Sequence, residues 1–497
     1  MFFFFRLLAI LRVCNRNVEI RRDNPYCKIA FFPIPIYCFY HVRAFLFRAR
    51  FVYCQIHKKI GETMTPTTVF IVIISFIVLL FLLTLRMPIS FAMALVGFLA
   101  FSYQISFPTA LSMTTRELWA TFTSTELTSL PMFVLMGAIA FYSGISERLF
   151  DVANKWLASL RGGLAVAAIL ACAGFAAICG STNASSAAMG KVAIPEMLKF
   201  KYAPSLATGC VASGGTLGIL IPPSAILIIY GIMTEESIGK LFAAGIVPGI
   251  ILTLLLAITI DIQCRLKPEL APRIPKSSWN EKVVSLAGLV DPLILFALIM
   301  GGLFVGVFTA TEAGAIGAGG IILIALIRKK LTWRTVVDSL ADTTKITCMV
   351  YVLVSGAIIF GRAISVTRIP FELSEWVGGL ALPSAAIMAL ILLGYLIAGC
   401  FMDSLALVTL TVPILLPIIL KMGYDPIWFG VITVIVTELG VITPPVGVNV
   451  YVINGVTPEI PLETIFRGIL PFVIPILVTA GIIILFPSIV LFLPNLL

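Results

Sequence analysis

Apolar segments long enough to cross a lipid bilayer recur along almost the whole of this sequence. A helix needs about 20 apolar residues to span the bilayer core, and about a dozen segments, some of them interrupted, meet this length. The composition agrees, with 60% hydrophobic and 12% charged residues, whereas soluble globular proteins carry about 25% charged residues. The sequence therefore predicts an all-α polytopic protein of the lipid bilayer with about 12 transmembrane segments.

The basic residues are unevenly distributed. Residues 1–63 hold eleven Lys and Arg against three acidic residues, and the rest of the chain is nearly neutral. This balance gives no support to nucleic-acid binding. Beyond residue 63, basic side chains concentrate in the loops 265–282 and 328–334. The stretch between these loops has room for two helices, so both loops lie on one face, which the positive-inside rule makes cytoplasmic.

The first 63 residues differ from everything that follows. They contain both histidines and four of the ten cysteines, without a charge-free run of 20 residues. They also lack the basic start and small-residue cleavage site of a signal peptide. Met64 opens a clean apolar helix. We therefore interpret residues 1–63 as an atypical basic extension, either an over-extended start or a leader without function, and residues 64–497 as the membrane domain.

The membrane domain contains an internal repeat. Six residues recur 222 positions later: Lys199, Tyr202, Pro204, Gly218, Pro222 and Pro223 match Lys421, Tyr424, Pro426, Gly440, Pro444 and Pro445. Agreement at several Gly and Pro positions under one offset indicates two homologous halves. We assign the first repeat to about 130–265, a linker with scaffold helices to about 266–380, and the second repeat to about 381–490.

Each half interrupts its apolar helices with glycine, proline and small polar residues. In the first half the interruptions lie at 180–186 and 214–224. Unpaired backbone groups cannot face lipid, so such breaks occur only where they are buried or line a polar cavity. Paired broken helices in two repeats are typical of a transporter site, where freed carbonyls coordinate a cation and helix N-termini hold a carboxylate.

Asp403 stands in an otherwise uncharged apolar stretch of the second half. A carboxylate at the bilayer centre costs about 2.5–3.5 kcal/mol, so another group must compensate it. One explanation is a sodium ion held by Asp403, Ser404 and nearby carbonyls; the other is a protonated or hydrogen-bonded structural aspartate. In the first half the corresponding cluster, 181–186, either completes a second cation site or serves close helix packing.

Other intramembrane polar residues leave several roles open. Glu438 could ligate an ion, relay a proton or pair with a backbone group. Glu312 lies near the start of a membrane segment, where a capping or packing role competes with one in transport. Arg362 and Arg368 could each bind a carboxylate by two hydrogen bonds, or they could simply mark a solvated helix end.

Several known signatures are missing from the sequence. It contains no Walker A or HExxH motif, and no histidine after residue 63. ATP hydrolysis and most hydrolase mechanisms are therefore disfavoured, so the chain is not expected to be an enzyme. A channel fits poorly with paired broken helices in two repeats.

Five motifs together resemble one family. They are GSTNASSAAMGKVAIPEM, SGGTLGILIPPS, GVFTATEAGAIGA, GCFMDSLALVTLTVPILLPI and TELGVITPPVGVNVYV. From about Met64 to the C-terminus, the sequence resembles the large, DctM-like membrane subunit of the TRAP (tripartite ATP-independent periplasmic) transporters. The resemblance implies a bacterial inner-membrane permease with two inverted repeats, each with a re-entrant hairpin and a broken helix, and an elevator-type mechanism.

The same resemblance implies partners and a driving force. Such permeases act with a small membrane subunit of four helices and a periplasmic solute-binding protein. They use a sodium gradient to take up a small carboxylate-containing solute, such as a C4-dicarboxylate or a sugar acid, and need no cofactor beyond the coupling ions. The alternative within transport is a sodium- or proton-coupled carboxylate or anion carrier that works without a binding protein. The amphipathic segment 110–127, which could seat a small subunit, favours the tripartite arrangement.

The resemblance also implies site residues. The sodium-binding residues are expected to be Ser181, Asn183, Gly218, Pro222, Asp403, Gly440 and Thr443. The substrate-binding residues are expected to be Ser185, Thr216, Ser224, Ser404, Asn449 and Arg362. The resemblance implies a class of solute and not an individual one, because in this family selectivity belongs largely to the binding protein.

Overall fold

The computed structural model describes residues 66–497 except 273, 275–276 and 380–382. The chain divides into two units, Met1–Thr67 and Thr68–Leu497, and the fold described below is that of the second. The expectations about residues 1–63 lie outside the described residues. Throughout the described ranges the regular structure is helical, with no strand.

Eleven helices precede the basic loop 265–282. They are α1 (Pro66–Thr84), α2 (Ile89–Gln104), α3 (Phe107–Phe122), α4 (Ser129–Tyr142), α5 (Ile145–Leu157), α6 (Gly163–Cys179), α7 (Thr182–Lys199), α8 (Pro204–Gly215), α9 (Leu217–Leu220), α10 (Ala225–Thr234) and α11 (Ile238–Leu266). A short 3₁₀ helix, Pro268–Leu270, follows in the loop.

Eleven further helices complete the described chain. They are α12 (Trp279–Ser285), α13 (Ala287–Phe304), α14 (Ala310–Ile327), α15 (Trp333–Val366), α16 (Ile369–Gly379), α17 (Ser384–Gly399), α18 (Ser404–Lys421), α19 (Pro426–Ile442), α20 (Val448–Val456), α21 (Leu462–Leu485) and α22 (Ser488–Leu491), before a final 3₁₀ turn at Pro494–Leu496.

Among the described residues, seven helical segments are long and apolar enough to cross a membrane. Counting α4 and α5, which meet at a 62° bend, as one span gives eight. Five shorter apolar helices add to these: Phe70–Thr84, Ile89–Gln104, Gly163–Cys179, Ser384–Gly399 and Pro426–Ile442. The predicted all-α polytopic membrane fold is thereby confirmed, whereas the count of twelve transmembrane segments stays a prediction.

Helix α11 shows how the apolar surface is divided. Leu254, Ile258 and Ile262 follow one another at four-residue spacing and are about half exposed. On the other side of the same helix, Leu256 and Ile260 are fully buried. Because residues four apart share one helix face, α11 has two apolar faces, one in the protein core and one outward. An apolar outer face is expected where a helix contacts lipid.

The two halves follow the same order of elements. In the first, α6 and α7 are separated by a short break, and α8 and α10 by another, before the long α11. In the second, α17 and α18, then α19 and α20, are separated in the same way before α21. Pro204 and Pro426, 222 residues apart, each occupy the first turn of their helix, where proline is pre-organised and leaves no hydrogen bond unmade. The inverted relation of the halves stays a prediction.

Close backbone packing joins the halves through α8 and α21. A Cβ atom placed on Gly209 would lie 2.2 Å from the carbonyl oxygen of Gly468. A Cβ atom on Gly468 would lie 1.9 Å from the carbonyl oxygen of Ser205. Small residues allow membrane helices to approach this closely, and the contact then gains dispersion energy over both backbones. The two glycines therefore fix the distance between these helices.

Candidate functional site

The first-half helix breaks meet at Gly180. Its carbonyl oxygen accepts a hydrogen bond of 3.2 Å from the amide of Ala225, which opens α10. Gly180 has a φ of +65°, and a Cβ atom there would lie 2.5 Å from the carbonyl oxygen of Pro223. Only glycine fits this position, because it tolerates both the left-handed backbone and the close approach. The break between α6 and α7 is thus joined to the break before α10.

The second half repeats this arrangement. The amide of Val446 donates a hydrogen bond of 3.3 Å to the carbonyl oxygen of Cys400, which joins the break before α18 to the break before α20. A Cβ atom on Gly440 would lie 2.6 Å from the carbonyl carbon of Gly399, so α17 and α19 are also in backbone contact. Each half therefore brings two helix breaks together, as the repeat predicted.

A polar side chain caps the helix that leaves the first break in each half. Ser181 Oγ accepts a hydrogen bond of 3.4 Å from the amide of Ala184 at the start of α7. Asp403 Oδ2 accepts one of 3.1 Å from the amide of Leu405 at the start of α18. The two caps are 222 residues apart in sequence. Both helices begin here, so their positive dipole ends and remaining free amides lie at the breaks.

Glu438 links α7 and α18, the two helices that these residues cap. Its carboxylate accepts a hydrogen bond of 3.0 Å from Thr182 Oγ1 and another of 2.9 Å from Ser404 Oγ. Thr182 and Ser404 are the first residues of α7 and α18 and are again 222 positions apart. The side chain of Glu438, on α19, is buried at 3% exposure. One carboxylate therefore bridges equivalent positions of the two repeats.

The repeat symmetry is broken at this carboxylate. The residue 222 positions before Glu438 is Thr216, which donates from Oγ1 to the carbonyl oxygen of Ser213 at 2.6 Å. The first half thus places a neutral hydroxyl where the second half places an acid. Since a buried carboxyl group needs compensation by hydrogen bonds or a cation, this acid in the second half distinguishes the site from its counterpart in the first half.

A cavity of about 220 Å³ lies where the breaks meet. Its wall includes Ser181, Thr182 and Asn183 from the first half and Asp403, Ser404 and Glu438 from the second. Helices α4 and α15 complete the wall, with Phe141 and Asp342 among their residues. Asp342 Oδ2 accepts a hydrogen bond of 2.7 Å from the Tyr142 hydroxyl. Sequence reasoning missed Asp342, although an acid within a helix as long as α15 was a signal.

Oxygen atoms converge beside the first break as well. A Cβ atom on Gly218 would lie 2.6 Å from the carbonyl oxygen of Ser181 and 2.8 Å from Ser185 Oγ. Within the described part of the chain, Ser185 Oγ is buried and makes no hydrogen bond. Carbonyl and hydroxyl oxygens of this kind are the ligands that hard cations prefer. The residues present here therefore fit a sodium ion in chemical type.

The predicted site residues divide into three groups. Ser181, Asn183, Asp403 and Ser404 line the cavity. The residues Ser185, Thr216, Gly218, Pro222, Ser224, Gly440 and Thr443 belong to the breaks or the helix turns beside them. Of these, Ser224 caps α10 and Thr443 Oγ1 donates to the carbonyl oxygen of Leu439.

Asn449 and Arg362 form the third group, whose side chains make structural contacts outside the cavity wall. Asn449, at the start of α20, is fully buried and donates from Nδ2 to the carbonyl oxygen of Ala212 at 2.6 Å, so it connects the second half to α8. Arg362 Nε is 3.2 Å from Glu117 Oε1 on α3, and Arg362 is not part of the cavity wall. The structure does not bring Arg362 to the site.

Glu312 has a structural partner. Its carboxylate accepts a hydrogen bond of 2.8 Å from the amide of Thr309, and the Thr309 hydroxyl accepts one from the amide of Glu312. This reciprocal pair is a capping box at the start of α14. Of the two roles that the sequence left open for Glu312, the structure shows the cap.

The fold and the site together define the class of protein to which this chain belongs. A helical membrane protein with helix breaks that meet in pairs around a polar cavity has the architecture of a membrane transporter. The chain belongs to the family described as "Tripartite ATP-independent periplasmic transporter, DctM component", whose model matches residues 76–489. It is accordingly a large permease subunit of the TRAP type, located in the inner membrane, and not an enzyme.

Known relatives agree with this assignment. The C4-dicarboxylate TRAP transporter large permease protein DctM of Pseudomonas aeruginosa is 38% identical over 370 residues, covering 74% of this chain and 86% of that protein. The sialic acid TRAP transporter large permease protein SiaM of Vibrio cholerae is 32% identical over 416 residues, covering 84% of this chain and 96% of that protein. The crystal structure of the Alcanivorax borkumensis YdaH transporter shares the fold, with a TM-score of 0.55, 14% identity, and coverage of 76% of this chain and 88% of that one.

Proposed function

We propose that this permease takes up a small carboxylate-containing solute together with sodium ions, after a periplasmic binding protein has delivered the solute. The names of two relatives support an acid as the solute, since one carries C4-dicarboxylates and the other sialic acid. A C4-dicarboxylate is the first candidate, because the relative of that name has 38% identity.

The observation that carries this proposal is the pair of capped helix starts at one cavity. Ser181 and Asp403 occupy equivalent positions of the two repeats and both line the cavity. Free amides at the starts of α7 and α18 suit a solute carboxylate. Asp403 and the carbonyls freed at the breaks suit a cation. The site therefore combines ligands for an anion and a cation in a single cavity.

We place the sodium ions beside the two breaks. One site uses Ser181, Asn183 and the Gly218–Pro222 break, and the other uses Asp403, Gly440 and Thr443. Both sites offer hard oxygen ligands, and the second also has a carboxylate, which a cation compensates. The solute would lie between them against Asn183 and Ser404. Ser185, Thr216, Ser224 and Asn449 are not part of the cavity wall and would support the pocket from the breaks and neighbouring helix turns, and Arg362 is left out because it pairs with Glu117.

We also propose two protein partners, a small membrane subunit and a periplasmic binding protein. Helix α3 is amphipathic, with Glu117 buried and Leu111, Trp119 and Phe122 exposed. An exposed apolar face on a helix of this kind suits contact with another membrane helix. The small subunit is accordingly expected at α3 and the neighbouring α1 and α2.

Thermal unfolding of the purified permease in sodium and in potassium, at equal ionic strength, tests the ion sites. A ligand that binds only the folded state stabilises it by about 2.7 kcal/mol at 100 times its Kd. We therefore expect sodium, and not potassium, to raise the melting temperature. Asp403→Asn keeps the cap, because asparagine accepts the same hydrogen bond, yet it removes the charge and should abolish most of the sodium effect.

Asp425→Asn is the matched control. Asp425 caps α19 in the same manner, accepting hydrogen bonds from the amides of Ile427 and Trp428, but it is not part of the cavity wall. This variant should keep the full sodium effect. Equal melting temperatures in sodium and potassium for the wild type would contradict sodium binding at these sites.

A further inference from the structure

The cavity wall contains carboxyl groups but no basic side chain. Asp342, Asp403 and Glu438 line it, and among the described residues of this wall there is no Lys, Arg or His. An anionic solute that moves through the cavity is repelled by these carboxylates wherever they are not neutralised, and the repulsion is strong away from bulk water. A nearby positive charge would lower that barrier.

Lys191 is the positively charged residue that follows the cavity-lining residues along α7. Asn183 and Ala187 line the cavity from α7, and Lys191 follows at the next four-residue step, on the same face of the helix. Its Nζ atom lies 5.2 Å from the ring centroid of Phe141, which also lines the cavity. This cation–π contact holds the ammonium beside the cavity.

The ammonium of Lys191 is not engaged in a salt bridge among the described residues. Within the described ranges, no carboxylate lies within salt-bridge distance of it, whereas Lys155 pairs with Asp151 and Lys199 with Glu196. A cation–π contact uses one side of an ammonium and leaves its other N–H donors free. Lys191 is also exposed, so a passing anion could reach it.

The mouth of the cavity lies on the side of the basic loops. Asn183 and Asp342 are the polar wall residues that are exposed, while Thr182, Ser404 and Glu438 are buried. Asp342 lies nine residues into α15, about 14 Å from its first residue, and α15 begins at Trp333, within the basic stretch 328–334. An exposed acidic side chain at Asp342 indicates an aqueous opening, since a carboxylate would be costly in lipid.

The far end of α7 points to the same side. Ala203, just after α7, donates its amide to the carbonyl oxygen of Leu270 at 2.9 Å, and Leu270 belongs to the basic loop 265–282. The positive-inside rule assigns both loops to the cytoplasm. The structure is therefore open toward the cytoplasm, and Lys191 stands between the cavity and that opening.

We propose that Lys191 is the counter-charge for the solute carboxylate on its way from the cavity into the cytoplasm. The ammonium donates hydrogen bonds to the carboxylate as the latter passes Asp342, and it is then left behind at the mouth. Lys191 acts in release, after the binding protein has handed over its solute on the opposite side. This inference rests on the proposed function.

The test is uptake of radiolabelled succinate into proteoliposomes that contain the permease and its small subunit, with the cognate binding protein outside and a sodium gradient. For Lys191→Gln we expect kcat to fall about tenfold, as for the loss of one charge-assisted hydrogen bond. The ratio kcat/KM for the loaded binding protein should stay unchanged, because docking takes place on the other side and precedes release. Lys191→Arg should retain most of the rate.

Lys199→Gln is the matched control. Lys199 lies on the same helix and also contacts a ring, that of Phe200, but it pairs with Glu196 and should be dispensable. Thermal unfolding of each variant checks folding. Unchanged kcat in Lys191→Gln, a raised KM at constant kcat, or an equal loss in Lys199→Gln overturns the inference. Absence of sodium-dependent succinate uptake by the wild type contradicts the proposed function for this acid and removes the basis of the inference with it.

Discussion

Glu438 connects the two repeats by hydrogen bonds that cross 256 residues of sequence to Thr182 and 34 to Ser404. Each hydroxyl belongs to the first turn of a helix that starts at a break. Because hydrogen bonds to a carboxylate are stronger than those between neutral groups, this one side chain fixes two helix starts relative to α19. The distance between the helix starts in turn sets the width of the cavity.

Substitutions at Glu438 should separate its hydrogen bonds from its charge. Glu438→Ala leaves two buried hydroxyls without their acceptor and is expected to lower the melting temperature clearly, since each such bond contributes about 1.5–3 kcal/mol. Glu438→Gln can accept from one hydroxyl and donate to the other, so it should melt close to the wild type. Differential scanning fluorimetry checks both. If glutamine destabilises as much as alanine, the charge and not the hydrogen bonding holds the helices.

The sequence predicted some of these residues better than others. Asp403 was evident as a lone acid in an apolar stretch, and Ser181 followed from the repeat. The partners of Glu438 could not be predicted, because its three open roles differ only in contacts across the fold. Arg362 illustrates the opposite case: a guanidinium at the end of an apolar run suggested a carboxylate ligand, and the ligand that the structure shows is Glu117.

At the scale of elements, glycines decide how closely helices approach. Sequence patterns predicted the breaks, since proline and glycine act locally on the backbone. They did not predict which helices touch, because a glycine inside a helix looks the same whether it faces another backbone or open space. Gly468 and Gly481 on α21 differ in this way.

This difference gives a prediction for α21. Gly468→Ala forces a Cβ atom to within 1.9 Å of the Ser205 carbonyl oxygen, so α8 and α21 must separate and the melting temperature should fall markedly. Gly481→Ala meets no atom within 4 Å and should be neutral or slightly stabilising, because alanine favours helix by up to about 1 kcal/mol over glycine. Thermal unfolding of both variants measures this difference in melting temperature. Equal effects would contradict the close contact between the halves.

At the scale of the whole molecule, two copies of one element order meet at a cavity that α4 and α15 also line. The repeat was visible in the sequence because the glycines and prolines of the breaks cannot be replaced without loss of the backbone shape. The opening of the cavity toward one side was not visible, since it depends on how α4, α7 and α15 are arranged. Asp342 and Lys191, both near that opening, acquire their meaning only from this arrangement.

Sodium coupling and dependence on a binding protein are tested most directly by the initial rate of uptake of radiolabelled succinate into proteoliposomes containing this permease and its small subunit. We expect uptake only when an inward sodium gradient and the loaded binding protein are both present, and we expect it to be lost when potassium replaces sodium. Uptake of free succinate without the binding protein would instead favour a carrier that works alone. Uptake that is unaffected by replacing sodium with potassium would contradict sodium coupling.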